Sequence, residues 1–309
     1  MVQYPLMEPI VDFVFKQIFA GSFKESRKLL IHLLNSVLKL KEDEKITEII
    51  YLNPYNDKEY KEDKISILDI KVKTRDGELI DIEVQINNRD NYRKRSLYYW
   101  SRMYGETIEE GEAYETLKKC VVINILDFNL LYETQKYHSI FRVKEVEESY
   151  ELLKDLEIHY IELPKFDDDR KDIKSMDDLE KWLVFIKDAA DESKREIFEA
   201  LRKESEVIDM AGRILEELSQ DERARQQYYQ RKKWLLDEKS KEKYQQIMIE
   251  RALKRGKEEG IKEGIKEGKK EVVKESLDQG LPIEVIAKIT KLSEEEIRKI
   301  KEEYEKKKN

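Results

Sequence analysis

Cysteine is almost absent from this chain: Cys120 is the only one in 309 residues, which excludes an intramolecular disulfide framework. It sits in the apolar run Cys120 to Leu126 and reads as a buried strand residue rather than a nucleophile. Histidine occurs three times, at His32, His138 and His159, too scattered for a histidine zinc motif. No apolar run approaches the roughly 18 residues of a membrane-crossing helix, so no membrane partner is expected. The opening Met-Val-Gln-Tyr-Pro carries no basic and apolar leader, and the expected location is cytoplasmic. Proline appears five times and glycine ten, four of them evenly spaced near the C-terminus. Charge is what the chain has in excess: charged residues make up 41%, against 39% hydrophobic. An average domain carries roughly 25% charge, so part of this chain must be solvated helix. A net charge of -8 argues against a DNA-coating protein but leaves room for a local basic patch.

The stretch Ile65 to Gln85 alternates polar and apolar residues around Asp76-Gly77 and predicts a β-hairpin. A two-residue loop would mix charged and apolar groups on both faces. A three-residue loop of Arg75, Asp76 and Gly77, with Gly77 left-handed, sets Val72 opposite Ile80, Ile70 opposite Ile82 and Leu68 opposite Val84. One face is then wholly apolar. On the other, Lys71 meets Asp81, and Asp69 falls opposite Glu83 with β-carbons about 5 Å apart. Facing carboxylates repel, and a sheet keeps them only if they stay solvated, share a proton or hold a cation such as Mg2+. Gln85 points the same way and is placed to hold a water.

Taken in order, residues 9–19 predict a short helix with Val11, Val14, Phe15 and Ile18 inward and Asp12 and Lys16 on one side. Ser22 or Ser26 caps a second helix with a leucine stripe from Leu29 to Leu38. Lys45 to Leu52 is expected as the first strand. Beyond the hairpin comes a basic and aromatic helix in which Arg95, Tyr98, Tyr99 and Arg102 recur at spacings of three and four, beside Arg93. That composition suits a polyanionic substrate; the competing account makes Tyr98, Trp100 and Met103 core and the arginines a wet edge. Lys119 to Leu126 predicts a central strand covered on both faces, with Phe141 to Val146 and Ile158 to Leu163 as edge strands. Pro164 to Asp177 reads as a linker and its run Asp167-Asp168-Asp169 as solvated. From Asp177 the period is helical. Gly256, Gly260, Gly264 and Gly268 then recur every four residues, which suggests close approach by another helix or a helix that frays alone. Two short helices, Ile283 to Thr290 and Glu294 to about Tyr304, close the chain, the second opened by a Ser293/Glu296 capping box. They suit packing or oligomerisation, with DNA contact as the other option. The composition divides the chain at 1–165, 166–250 and 251–309.

The stretches Asp-Phe-Val-Phe-Lys-Gln-Ile-Phe (12–19), His-Leu-Leu-Asn (32–35), Leu-Asp-Ile-Lys (68–71), Asp-Ile-Glu-Val-Gln (81–85), Arg-Ser-Leu-Tyr-Tyr-Trp-Ser (95–101) and Leu-Glu-Lys-Trp (179–182), with the glycine-spaced tail, cover most of the chain. In this order they resemble the recombination-promoting nuclease and transposase family, a branch of the PD-(D/E)xK nucleases. The resemblance implies an α/β fold, a restriction-endonuclease-like mixed sheet core flanked by helices, followed by a helical C-terminal region. It also implies a Mg2+-dependent DNA endonuclease, with Mn2+ as a substitute ion, that hydrolyses phosphodiester bonds in recombination or transposition. Asp69 and Glu83 would be the metal-binding acids, with the carbonyl of Val84 as a further ligand and Asp12 as a supporting acid. The superfamily's lysine position falls on Gln85, which can orient a water but cannot supply charge. Lys16 or Lys71 could replace that cation, and Arg93, Arg95, Tyr99 and Arg102 would grip DNA. The partners implied are DNA and a second copy joined through the C-terminal helices. The alternative is a catalytically inactive, nuclease-derived DNA-binding or assembly module.

Overall fold

Two alternating strands joined by a three-residue turn seed the sheet of this protein, whose computed structural model describes residues 4–52, 70–88, 91–167 and 172–308. Helices α1 (Asp12–Ala20) and α2 (Ser26–Leu38) lead into strand β1 (Ile49–Leu52) and the hairpin β2 (Ile70–Thr74) and β3 (Leu79–Gln85). Helix α3 (Tyr92–Gly105) then crosses to β4 (Cys120–Leu126), followed by β5 (His138–Phe141) and β6 (Leu156–Glu162). Helices α4 (Asp178–Asp188), α5 (Arg195–Glu204), α6 (Glu206–Gln220), α7 (Glu222–Asp278), α8 (Ile283–Thr290) and α9 (Glu294–Lys308) complete the chain. The strands form one mixed sheet in the order β1-β2-β3-β4-β6-β5, with β3, β4 and β6 parallel.

The hairpin has the register that its hydrophobic pattern requires: Val72 faces Ile80 and Ile70 faces Ile82. Thr74 and Glu78 close a loop of Arg75, Asp76 and Gly77, with Gly77 at φ +88°, a conformation that favours glycine. Ile70, Val72, Ile80, Ile82 and Val84 turn to one face, where α1, α2, α4 and α6 bury Phe15, Phe19, Leu30, Trp182, Phe185 and Leu215 against them. The other face packs Leu79, Cys120, Val122, Leu126 and Tyr160 beneath Tyr92 and Met103 of α3. Strand β4 is buried on both faces, as its continuous apolar run requires. Burial pushes the Cys120 thiol up to about 12, the behaviour of a structural cysteine.

Several elements differ from the sequence reading. Strand β1 starts at Ile49 rather than Lys45, because the Asn35 side chain takes both the N–H and the C=O of Ile46, at 2.9 Å each. The strand expected at Phe141 to Val146 lies instead at His138–Phe141 and leaves only an isolated Lys144–Glu151 bridge beyond it. Strand β6 is interior, not an edge: its polar Glu157 and His159, which mimic a wet face, are buried. The expected linker includes two 3-10 turns and the buried Phe166 and Met176. The aspartates at 168 and 169 lie outside the described residues.

By packing, the chain forms two compact units, Met1–Asp237 and Glu238–Asn309. In the second, Val273, Ile286 and Ile297 bury a small core among α7, α8 and α9. Ser293 Oγ accepts from Glu296 N at 3.3 Å and Glu296 Oε2 accepts from Ser293 N at 2.8 Å, the reciprocal pair of a capping box. Among the described residues no helix is long and apolar enough to cross a membrane.

Candidate active site

Because side chains alternate along β3, the apolar set Ile80, Ile82 and Val84 sends Asp81, Glu83 and Gln85 to the face that α3 covers. Asp81 is fully buried and Glu83 is 2% exposed. Gln85 Nε2 donates to Glu83 Oε2 at 3.1 Å, so the two polar residues at the end of β3 hold each other. In the parallel ladder Glu83 is level with Asn124, the one polar residue of β4. Asn124 Oδ1 accepts from Ser96 Oγ at 3.1 Å and its amide donates to His159 O at 2.9 Å. This buried polar row escaped the sequence reading, although a lone asparagine inside an apolar run was the signal for it. Asp69, expected across from Glu83, lies outside the described residues.

Helix α3 is fixed over this row on both flanks. On one, Arg93 makes a bidentate pair with Glu133, 2.8 Å for each bond, and donates to Leu130 O at 2.9 Å. The Arg93 hydrogen bond holds the Glu133 carboxyl down to about 2. Trp100 Nε1 on that flank donates to Cys120 O at 2.8 Å, and Tyr104 Oη to Asp155 Oδ2 at 2.9 Å. On the other, Glu106 just past the helix pairs with Lys71 of β2. Residues seven and eleven apart share a helix face, so Arg95 and Arg102 belong to the Glu106 flank, toward β2 and β3. The Arg95 guanidinium lies over Tyr92 at 4.5 Å and Tyr99 at 5.7 Å from the ring centroids. Tyr99 and Met103 are buried, whereas Tyr98 is 55% exposed, so the helix puts a different tyrosine inward than the core account proposed.

The remaining sequence candidates are placed elsewhere. Lys71 is engaged by Glu106, and Arg93 sits on the flank away from the hairpin. Asp12 and Lys16 belong to α1, which packs on the opposite sheet face. Asp12 Oδ1 accepts from Arg231 Nε of α7 at 2.8 Å, a pairing that no local pattern in the sequence foretold. Arg231 in turn covers the Trp234 ring at 4.2 Å, and Asn87 Nδ2 donates to Leu235 O at 3.3 Å, which brings the start of α7 to the end of β3.

A family model described as PD-(D/E)XK nuclease family transposase matches residues 9–245. The chain belongs to this family. Neither a curated protein nor a solved structure matches it. The mixed six-stranded sheet with flanking helices and a helical C-terminal region is consistent with the PD-(D/E)XK fold, and membership supports a nuclease or transposase-related role. Family nucleases typically use divalent metals. Among the described residues no cluster of three or more His, Cys, Asp or Glu side chains is arranged to hold a metal ion. A Mg2+-type site needs less, one or two carboxylates with water and phosphate completing the shell, and the buried Glu83 carboxylate beside an amide is a donor of that kind.

Proposed function

We propose that this protein is a Mg2+- or Mn2+-dependent DNA endonuclease in which Asp69, Glu83 and the Val84 carbonyl hold the ion. The observation that carries the reading is the hairpin register: from Ile70 to Lys73 the rungs are those that call for Asp69 opposite Glu83. When bound, the ion supplies acidification of a water and neutralisation of phosphate charge. Glu83 is kept in place by Gln85, whose carbonyl oxygen is the acceptor that would align a nucleophilic water. Arg95 and Arg102 present a basic flank of α3 to the DNA backbone, with the buried Tyr99 backing the Arg95 guanidinium. Lys16 and Lys71 lie further from the role of catalytic cation, the first on α1 and the second paired with Glu106. Asp12, on α1 and paired with Arg231 of α7, has no direct part in this arrangement.

Plasmid DNA incubated with the protein and Mg2+ or Mn2+ should be nicked or linearised, and Asp69→Ala and Glu83→Ala should each abolish cutting. Cleavage that survives either substitution refutes the site. The other reading, a DNA-binding or assembly module without cleavage, is favoured by the neutral Gln85 and the net charge of -8. It predicts that wild-type protein binds DNA and leaves it intact with either ion. In both readings the glycine-spaced part of α7 joins two copies of the chain, and sedimentation should show a dimer that a chain ending at Asp237 does not form.

A further inference from the structure

The nuclease reading leaves one chemical gap. Attack on a phosphodiester puts extra negative charge on the phosphate oxygens, and position 85, the lysine position of the wider superfamily, holds a neutral amide, as it often does in the branch this chain resembles. Lys71 is drawn to Glu106, and Lys16 stands on a helix that packs against the opposite sheet face. Arg95 has neither constraint. It lies on the flank of α3 that Glu106 ties to β2, the strand paired with the one that carries Glu83. Its guanidinium is laid across Tyr92 and Tyr99, 4.5 and 5.7 Å from their centroids, and its Nε is buried with no hydrogen-bond partner among the described residues. A donor enclosed in this way carries a penalty that a ligand oxygen would remove. Stacking on ring faces leaves the N–H edge of the guanidinium to meet an anion, and a planar fork suits two phosphate oxygens. Ser96, the next residue, is anchored to Asn124, level with Glu83, which fixes the helix turn from which Arg95 projects.

We propose that Arg95 is a catalytic residue: it faces the scissile phosphate and supplies the transition-state cation that position 85 lacks. The assignment rests on the nuclease reading above. In the step it assists, a water oxygen bonds to phosphorus and the bond from phosphorus to the leaving sugar oxygen breaks. The electron pair stays on that oxygen, which takes up a proton from solvent, and the attacking water releases one to solvent. Arg95 neither gives nor accepts a proton; it binds the two phosphate oxygens that gain charge.

The test uses the full chain and a fluorescein-labelled duplex. Single-turnover cleavage at saturating protein with Mn2+ is compared with duplex affinity measured by anisotropy in EDTA, for wild type, Arg95→Met, Arg95→Lys, Arg95→Met with Gln85→Lys, and Glu83→Ala. Arg95→Met should slow cleavage about 10²- to 10³-fold, the usual loss when one transition-state donor is removed. Affinity should weaken by less than about tenfold, since one phosphate contact among several is lost. Arg95→Lys should keep part of the rate, and Gln85→Lys should restore at least about tenfold to Arg95→Met by returning a cation to the phosphate. A rate loss no larger than the affinity loss, or no restoration by Gln85→Lys in a variant that retains the wild-type thermal midpoint, overturns the assignment and reduces Arg95 to a backbone contact. Cutting that persists in Glu83→Ala, or wild type that does not cut, overturns the underlying nuclease reading, which the Arg95 variants alone would not do.

Discussion

Glu83 and Gln85 show what a single β-strand can specify at the level of side chains. Alternation forces both onto the face opposite Ile82 and Val84, and their hydrogen bond follows from the two-residue spacing. If Gln85 serves to place a water, a lysine there adds charge without losing reach, and Gln85→Lys should raise the cleavage rate several-fold in the same plasmid assay. Total loss of cutting would mean that the neutral amide itself is required. The face that the two share was legible because alternation is a local pattern. The partners of Lys71 and Asp12 were not, since Glu106 and Arg231 lie 35 and 219 residues away and only the folded chain brings them close. Arg93 and Arg95 make the same point on one helix. Both are basic residues in a basic stretch, yet rotation by two positions commits one to Glu133 and lays the other across Tyr92 and Tyr99.

Among the elements, the hairpin was the most readable and the β5–β6 pair the least. The turn could be derived because Gly77 at φ +88° and the apolar alternation demand the same three-residue loop. Gly77→Ala should therefore cost about 1–2 kcal/mol from the left-handed backbone, read as a lower midpoint in urea. The side-chain space is not the issue, because a β-carbon there meets Lys118 only at 3.5 Å. Strand β6 was misread as an edge because Glu157 and His159 look like solvent-facing positions. They are instead a buried chain: His138 Nε2 and His159 Nδ1 are 2.9 Å apart, and His159 Nε2 is 2.7 Å from Glu157 Oε1. Burial opposes the Glu157 charge, but His159, Lys119 and Arg142 outweigh it and bring its carboxyl down to about 2. Burial, then the neighbouring His159, lowers His138 to about 4. An unfolded histidine titrates near 6.5, so on acidification the unfolded chain takes up this proton first. The stability that a neutral His138 allows is complete above about pH 6.5 and drains away as pH falls toward about 4. Because the ring is partly exposed, the loss should be roughly 1–2 kcal/mol. Urea midpoints across that window should fall less steeply in His138→Gln; identical slopes would show that His138 does not titrate there.

For the whole molecule, composition and packing divide the chain differently. A change in polarity near residue 165 suggests a boundary, yet α4 and α6 place Trp182, Leu183, Phe185 and Leu215 in the same core as Ile80 and Ile82. Sheet and helices beyond 165 therefore stand or fall together, whereas few apolar residues mark where one unit gives way to the other within α7. The family match at 9–245 ends near the packing boundary at Asp237, which agrees with one cooperative unit built from most of the chain. A chain ending at Asp237 keeps Tyr228 in the core, Arg231 on Asp12, Lys232 on Glu8 and the Asn87 contact with Leu235. It should unfold at nearly the same urea concentration as the first transition of the full protein. A chain ending at Asp221 strips these contacts and opens the core at Tyr228 and Ala224, both under 9% exposed, a loss of about 3–5 kcal/mol by the cost of removing a large buried side chain. Equal stability for the two truncations would mean that the start of α7 merely lies on the unit. The expected gap would make it an integral part of the first unit, holding Asp12 and the end of β3 in place from more than 200 residues along the chain from α1.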